Sequence, residues 1–236
     1  MWKNWCAPLP PDAGVIIVAA GRGTRFGSEV PKQYQVLAGA PVLLHAVRPF
    51  AAHPEVAHIV VVLPSADAAA PPEWLAALCG GRLSVAAGGA ERRDSVTAGL
   101  AALPAECTIV LVHDGARPFP SHAMIDGGLA AARHGRSAVP ALPIADTIKR
   151  ADDFGRVLST VDRHGLWCAQ TPQAFPRRVL ERAHAAARGD GLAATDDATM
   201  VERLGEPVEL LPGSARNLKI TTAHDLALAT WYAERP

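Results

Sequence analysis

Val15-Ile16-Ile17-Val18-Ala19-Ala20-Gly21-Arg22-Gly23-Thr24-Arg25-Phe26-Gly27, continued by Pro31-Lys32-Gln33-Tyr34, is the stretch whose reading decides the fold. Its first four residues form a short apolar run bounded by glycine, the pattern of a strand buried in a parallel sheet. A glycine-rich loop with Arg22, Arg25 and Lys32 follows at once. Glycines let such a backbone approach a ligand closely and turn several N–H groups toward one anion. Long cationic side chains on the loop can grip phosphates as well. The same residues also suit an ordinary strand-to-helix turn with solvated basic side chains. Two familiar anion loops are excluded. A dinucleotide fingerprint needs glycine at its sixth position, and counting from Gly21 the sixth residue is Phe26; a P-loop needs Gly-Lys-Ser/Thr, and no such triplet follows.

Outward from this stretch, strand-like and helix-like runs alternate. Strands are expected at Ile59–Leu63, Leu83–Ala87, Ile109–Val112 and Ala138–Leu142. Helices are expected at Val42–Ala52, Glu73–Leu78, Glu91–Leu103 and Ile125–His134. Such alternation means right-handed βαβ units around a mostly parallel sheet flanked by helices, an α/β fold. The pattern breaks between about Pro143 and Trp167. There Thr147-Ile148-Lys149 and Val157–Val161 flank a turn with Asp152, Asp153 and Gly155, so a β-arm leaves the sheet. Helices then follow near Arg177–Arg188 and Asp196–Leu204, the second with Thr195 as N-cap. Val208–Leu211 and Asn217–Ile220 read as strands. The last helix starts at Thr222, with Asp225 completing a capping box. We find no linker or repeat, and the expectation is a single domain over 1–236 that includes the arm at about 143–167.

Ligands of open α/β sheets bind beyond the carboxyl ends of the strands. The first strand delivers the Gly21–Lys32 loop. The third delivers Gly88-Gly89-Ala90-Glu91-Arg92-Arg93-Asp94-Ser95, the fourth His113-Asp114-Gly115-Ala116-Arg117-Pro118, and the fifth leads to Asp146, Thr147 and Lys149. All these polar groups are expected on one rim. Asp114 at a strand end can hold a metal or a sugar hydroxyl, or serve as a turn cap. Arg117 can pair with it or grip a phosphate, and Ser95 can bond a base or sit in a helix's first turn. There is no Gly-x-Ser-x-Gly elbow, no thiol with an evident base and no marked carboxylate pair. What remains is electrostatic chemistry on a phosphate substrate held by Arg, Lys, backbone N–H and Mg²⁺.

Composition narrows the classes. The 236 residues are 49% hydrophobic, enough for a substantial core, and the formal net charge is zero. Neither nucleic acid nor an anionic membrane is therefore expected as partner. The apolar runs fall short of a membrane span, and Met1-Trp2-Lys3-Asn4-Trp5 lacks the apolar core of a signal peptide. Cys6, Cys79, Cys107 and Cys168 are scattered without a Cys-x-x-Cys pair, as expected of reduced thiols in the cytoplasm.

The motifs together resemble the 2-C-methyl-D-erythritol 4-phosphate cytidylyltransferases of the non-mevalonate isoprenoid pathway. The resemblance runs in order from about Val15 to Tyr232. It includes Ala19-Ala20-Gly21-x-Gly23-x-Arg25, Pro31-Lys32-Gln33-Tyr34, Gly88-Gly89 with Glu91-Arg92, and His113-Asp114-x-Ala116-Arg117-Pro118. It continues through Asp146-Thr147-x-Lys149, Thr160–Trp167 with Arg163, Thr171-Pro172-Gln173, Thr195-Asp196 and Asn217-x-Lys219-x-Thr221. Each motif is weak; their joint order is specific.

The resemblance implies a Rossmann-like nucleotidyltransferase fold and a homodimer that exchanges its β-arms. The implied reaction joins CTP and methylerythritol phosphate, with Mg²⁺ carried mainly by the CTP phosphates, and releases pyrophosphate. Arg25, Lys32, Arg163 and Lys219 are the implied catalytic residues. Ala19, Ala20, Gly21, Gly23, Gly89, Ala90, Ser95 and Asp114 would hold CTP, and Arg117, Thr147 and Thr171 the polyol phosphate, with Arg163 reaching over from the partner subunit. Two residues depart from the pattern: Ala90 stands where aspartate is common, and Gly115 where alanine is common. Rival readings are a cytidylyltransferase for another polyol phosphate, such as ribitol 5-phosphate, and a non-catalytic nucleotide-binding protein. A dehydrogenase is disfavoured by the missing third glycine.

Overall fold

The computed structural model describes residues 11–21, 26, 30–78, 81–189 and 195–235. From the amino end come β1 (Ala13–Val18), a 3-10 turn (Lys32–Tyr34), a small hairpin of β2 (Val36–Leu37) and β3 (Ala40–Pro41), α1 (Val42–Ala51), β4 (Val56–Leu63), α2 (Ser65–Ala69) and α3 (Glu73–Ala76). Then follow β5 (Leu83–Ala87), α4 (Arg92–Ala102), β6 (Ile109–Asp114), α5 (His122–Arg133) and β7 (Ser137–Pro143). The last part holds β8 (Ile148–Ala151), β9 (Val157–Val161), β10 (Trp167–Ala169), β11 (Gln173–Pro176), α6 (Arg177–Gly189), α7 (Asp197–Arg203), β12 (Val208–Pro212) and α8 (Ala223–Ala233).

β1 lies inside the main sheet, in parallel register with β4 on one side and β6 on the other. β5 extends the sheet beyond β4. On the other flank the order is β6, β11, β7, with β12 parallel to β7. β1 is covered on both faces. Val15 and Ile17 pack in the layer of α1 and α5, with Leu43, Phe50 and Ile125. Ile16 packs in the opposite layer with Val96 of α4, Leu180 of α6 and Met200 of α7. A strand buried on two sides has no polar face, which is why it reads as an unbroken apolar run.

Three expectations are corrected. Gln173–Pro176, with no predicted element, is a central antiparallel strand between β6 and β7, its four residues all buried. Asn217–Ile220 is not a strand but an extended loop, held where the Ile220 N–H donates to the Ala116 carbonyl. The cap of α7 is Asp196, not Thr195; its carboxylate accepts from the Thr199 N–H. The β2–β3 hairpin, α2 and β10 are likewise absent from the sequence-based expectation.

The arm is present as β8 paired antiparallel with β9, a two-stranded sheet separate from the main one. Its turn is closed by the Asp152 carboxylate, which accepts from the N–H groups of Phe154 and Arg156, with Gly155 at φ 78°. Phe154, Val157 and Leu158 on it are exposed.

At the carboxyl end of the chain, Thr222 and Asp225 form the expected reciprocal capping box of α8. Asp225 accepts from the backbone and hydroxyl groups of Thr221 and Thr222. Burial opposes ionisation, but these hydrogen bonds together outweigh it and bring the Asp225 pKa down to about 2. A depressed carboxylate stabilises the fold above its unfolded pKa and loses that contribution as pH falls through the folded value. Asp225→Ala is therefore expected to cost about 1 kcal/mol at neutral pH. The gap to wild type in thermal unfolding should narrow as pH falls from about 4 toward 2; a gap that widens on acidification contradicts this assignment.

Candidate active site

The carboxyl ends of β1, β5 and β6 enclose a cleft. Its floor is the backbone of Ala19, Ala20 and Gly21 after β1, and its walls include Lys32, Gly89, Ser95 and Asp114. The β1 and β5 loops touch behind it. A Cβ on Gly88 would stand 2.4 Å from the Ala20 Cβ and 2.8 Å from the Ser95 hydroxyl oxygen, so only glycine allows this approach. Gly115 is close-packed too, but a Cβ there would lie 3.0 Å from the Ala19 Cβ and 3.0 Å from Leu43 Cδ1. A shift of a few tenths of an ångström would admit an alanine at this position.

A second cleft adjoins the first, bounded by Arg117, Gln170, Thr171, Gln173, Thr195 and Asp196. The two share one wall made of Arg92, Asp114 and Lys219. Asp114 is its centre. Lys219 Nζ lies 2.9 Å from one carboxylate oxygen, while Arg92 Nε and Arg117 Nε each approach to 3.6 Å. Burial alone would raise the Asp114 pKa. The cations of Lys219, Arg92 and Arg117 overcome it and hold the carboxyl well below the usual carboxylate range. The seam therefore carries an ionised carboxylate flanked by three cations, of which Lys219 is the most exposed, a setting suited to phosphate groups arriving from either side.

Behind the seam runs a closed hydrogen-bond circuit. The Asp114 N–H donates to the Thr171 hydroxyl, 3.0 Å, and that hydroxyl lies 3.0 Å from His113 Nδ1. The other His113 nitrogen is 2.9 Å from the Arg117 carbonyl oxygen. The Arg117 guanidinium donates to the Asn217 carbonyl at 2.7 Å, and the Asn217 amide returns to the Thr171 carbonyl at 2.8 Å. His113 is fully buried against the Phe50 ring, and burial pushes its pKa down to about 4. As a neutral imidazole it donates from Nε2 to Arg117 and accepts at Nδ1 from Thr171. Because Asn217 is locked at both its carbonyl and its amide, the circuit fixes the chain two residues before Lys219.

This arrangement of a glycine-floored cleft, a cationic seam and a second polar cleft can be set beside known proteins. The family model described as IspD: 2-C-methyl-D-erythritol 4-phosphate cytidylyltransferase matches residues 13–235. The chain belongs to this family. A Syntrophus aciditrophicus (strain SB) protein named 2-C-methyl-D-erythritol 4-phosphate cytidylyltransferase is 39% identical over 233 residues, spanning 96% of this chain and 98% of that one. The Rhodospirillum rubrum protein named bifunctional enzyme IspD/IspF is 47% identical over 218 residues, 91% of this chain but 55% of its own length. The crystal structure of 2-C-methyl-D-erythritol 4-phosphate cytidylyltransferase from Thermus thermophilus superposes with a TM-score of 0.78 at 35% identity, covering 93% of this chain and 98% of that one.

Against the family expectation, Ala19, Ala20, Gly21, Lys32, Gly89, Ala90, Ser95, Asp114 and Lys219 do converge on the first cleft. Arg25 and Gly23 lie outside the described residues. Arg117 and Thr171 border the second cleft; Thr171 also bonds Asp114 and His113, and Arg117 bonds Asn217 through Nη1 while its buried Nε has no hydrogen-bond partner among the described residues. Thr147 and Arg163 stand exposed at the base of the arm and line neither cleft; Arg163 donates to the Ala145 carbonyl. Sequence reasoning missed Arg92, Asp197 and the positioning role of Asn217. Arg92 sits in a quoted motif, but its partner Asp197 lies 105 positions away.

The sequence-based expectation has Mg²⁺ riding on the CTP phosphates. Among the described residues the seam offers it one carboxylate, Asp114, already ringed by three cations, so the donor set does not fit a protein-held ion. The cluster His53, Glu55 and Asp126 is elsewhere, and its groups are engaged: His53 with Asp126 at 2.9 Å and Glu55 with Arg133 at 2.6 Å.

Proposed function

We propose that this chain transfers CMP from CTP to 2-C-methyl-D-erythritol 4-phosphate, forming 4-diphosphocytidyl-2-C-methyl-D-erythritol and pyrophosphate. The observation that carries the reading is the wall of Arg92, Asp114 and Lys219 common to two clefts. A nucleotide in the first and a polyol phosphate in the second would bring their phosphates together there. A phosphate oxygen of the polyol attacks the α-phosphorus of CTP in line, the new P–O bond forms as the α–β bond breaks, and pyrophosphate leaves with the bonding electrons. Charge builds on the α-phosphate and the leaving group, and preorganised cations stabilise it. Lys32 lines the first cleft, where the triphosphate would lie, and Lys219 the seam; the family resemblance assigns Arg25 to the triphosphate as well. No protein nucleophile is needed; the nearest imidazole, His113, is buried, neutral and fully bonded.

Pyrophosphate release from CTP is expected only with methylerythritol phosphate and Mg²⁺ present, and to stop when EDTA removes the metal. Equal or faster turnover with ribitol 5-phosphate overturns the choice of substrate.

The arm supports a homodimer. Phe154, Val157 and Leu158 expose apolar surface on a thin hairpin, and such surface favours burial against a second chain. Arg163 and Thr147 at its base would then complete the partner's site. Mixing Arg163→Ala with Lys32→Ala subunits should restore activity at one of two sites. Mixed dimers that stay inactive show that Arg163 works in its own chain. The thiols of Cys107 and Cys168 are unpaired, which supports a reducing compartment, the cytoplasm. Among the described residues no helix is long and apolar enough to cross a membrane.

A further inference from the structure

Arg92 is the first residue of α4, where the helix dipole disfavours a cation. It is kept there by two carboxylates of unequal grip. Its Nη1 meets Asp197 at 2.5 Å, whereas its Nε reaches Asp114 only at 3.6 Å, and its buried Nη2 has no hydrogen-bond partner among the described residues. The guanidinium is thus anchored tightly from behind and loosely at the end that forms the cleft wall. Asp197 is itself wholly buried. Its second oxygen lies 3.0 Å from His184 Nε2, and His184 Nδ1 lies 3.1 Å from the Thr97 hydroxyl on α4. Arg92 and Asp197 thus tie α4 to β6, α7 and α6. For stability alone, a buried ion pair is commonly no better than well-packed apolar residues. Its position, one side chain behind the seam, supplies a different reason.

We propose that Asp197, acting through Arg92, is a positioning residue for the transfer reaction. Asp197 holds the Arg92 guanidinium at a set distance from Asp114, and Asp114 in turn holds Lys219 where the two substrates' phosphates meet. Without Asp197, Arg92 swings fully onto the Asp114 oxygen opposite the one that Lys219 holds, takes a larger share of the carboxylate's charge and loosens the seam cation from its mark. The inference rests on the cytidylyl-transfer reading above.

The test is steady-state kinetics of the full-length enzyme with CTP, methylerythritol phosphate and Mg²⁺, beside thermal unfolding. Asp197→Asn keeps the side-chain shape and should lower kcat/KM for methylerythritol phosphate by ~10–100-fold, the scale that misplacement by an ångström costs, with KM for CTP moving less than about threefold. Arg92→Lys should lose a similar factor and keeps the test open if Asp197→Asn does not fold. The double variant should be no worse than Arg92→Lys alone, since residues acting through one contact are not additive. Wild-type constants in folded Asp197→Asn or Arg92→Lys, even with a lowered Tm, overturn the inference and leave a structural pair. So do single losses that multiply in the double variant. An inactive wild type removes the transfer reading and this inference together; an active wild type with insensitive variants removes the inference alone.

Discussion

Lys32→Ala lowers kcat by a factor on the order of 10²–10³ while KM for CTP changes far less. The side chain follows the Gly21 loop and lines the first cleft beside Gln33, which is buried. The 3-10 turn that carries it is tied to the rest of the protein: the Tyr34 hydroxyl donates to Asp67 at 2.7 Å, and the Gln35 backbone carbonyl accepts from the Val42 N–H. The ammonium is thus delivered by a braced segment rather than a free loop, so little reorganisation is needed when charge develops on the phosphates. An interaction made mainly in the transition state appears in kcat; one made equally with bound substrate appears in KM. Single-turnover pyrophosphate release beside CTP binding by calorimetry separates the two. A pure loss of CTP affinity, with kcat retained, removes Lys32 from the catalytic role.

Lys219→Ala has an effect of the same order, a loss of ~10²–10³ in kcat/KM, because it takes the closest cation from the seam. It also acts on Asp114. Lys219 is the strongest of the charges that hold this carboxyl down, ahead of Arg92 and Arg117. Without it the Asp114 pKa rises. The carboxyl of the variant then takes up its proton at a higher pH than in wild type, and residual activity should fall away earlier on the acid side. Lys219→Arg keeps the charge but not the compact ammonium geometry, and is expected to recover only part of the loss. Lys219→Ala with kcat/KM within a few-fold of wild type would place Lys219 outside the reaction.

Much of the first cleft was legible in the residue order. Ala19, Ala20 and Gly21 follow a four-residue apolar run, and Gly88-Gly89 and Asp114 follow two others. Once those runs are parallel strands, their carboxyl ends share a rim by the geometry of the βαβ unit. The capping box of α8 was equally legible, since its contacts span only three residues. β11 was not. It is a four-residue antiparallel segment that owes its place to β6 and β7 on either side, and nothing in Gln173-Ala174-Phe175-Pro176 by itself specifies a central strand. Asn217–Ile220 misled in the opposite sense. Its apolar Leu218 and Ile220 alternate as a strand would, but Ile220 fills a small core with Leu37, Val42 and Ala229 instead of joining the sheet.

The sequence by itself determined the alternating α/β architecture, the loops that could meet a phosphate, the protruding arm and, through the joint order of its motifs, the family. These are properties of local periodicity and of residues close along the chain. Only the tertiary structure decided which cations share Asp114, that His113 and Thr171 are wired into one hydrogen-bond circuit, and that Asp197 stands behind Arg92. Asp114 and Thr171 lie 57 positions apart and Arg92 and Asp197 lie 105 apart. The desolvation that makes their charges strong arises only when the sheet and its helices close around them.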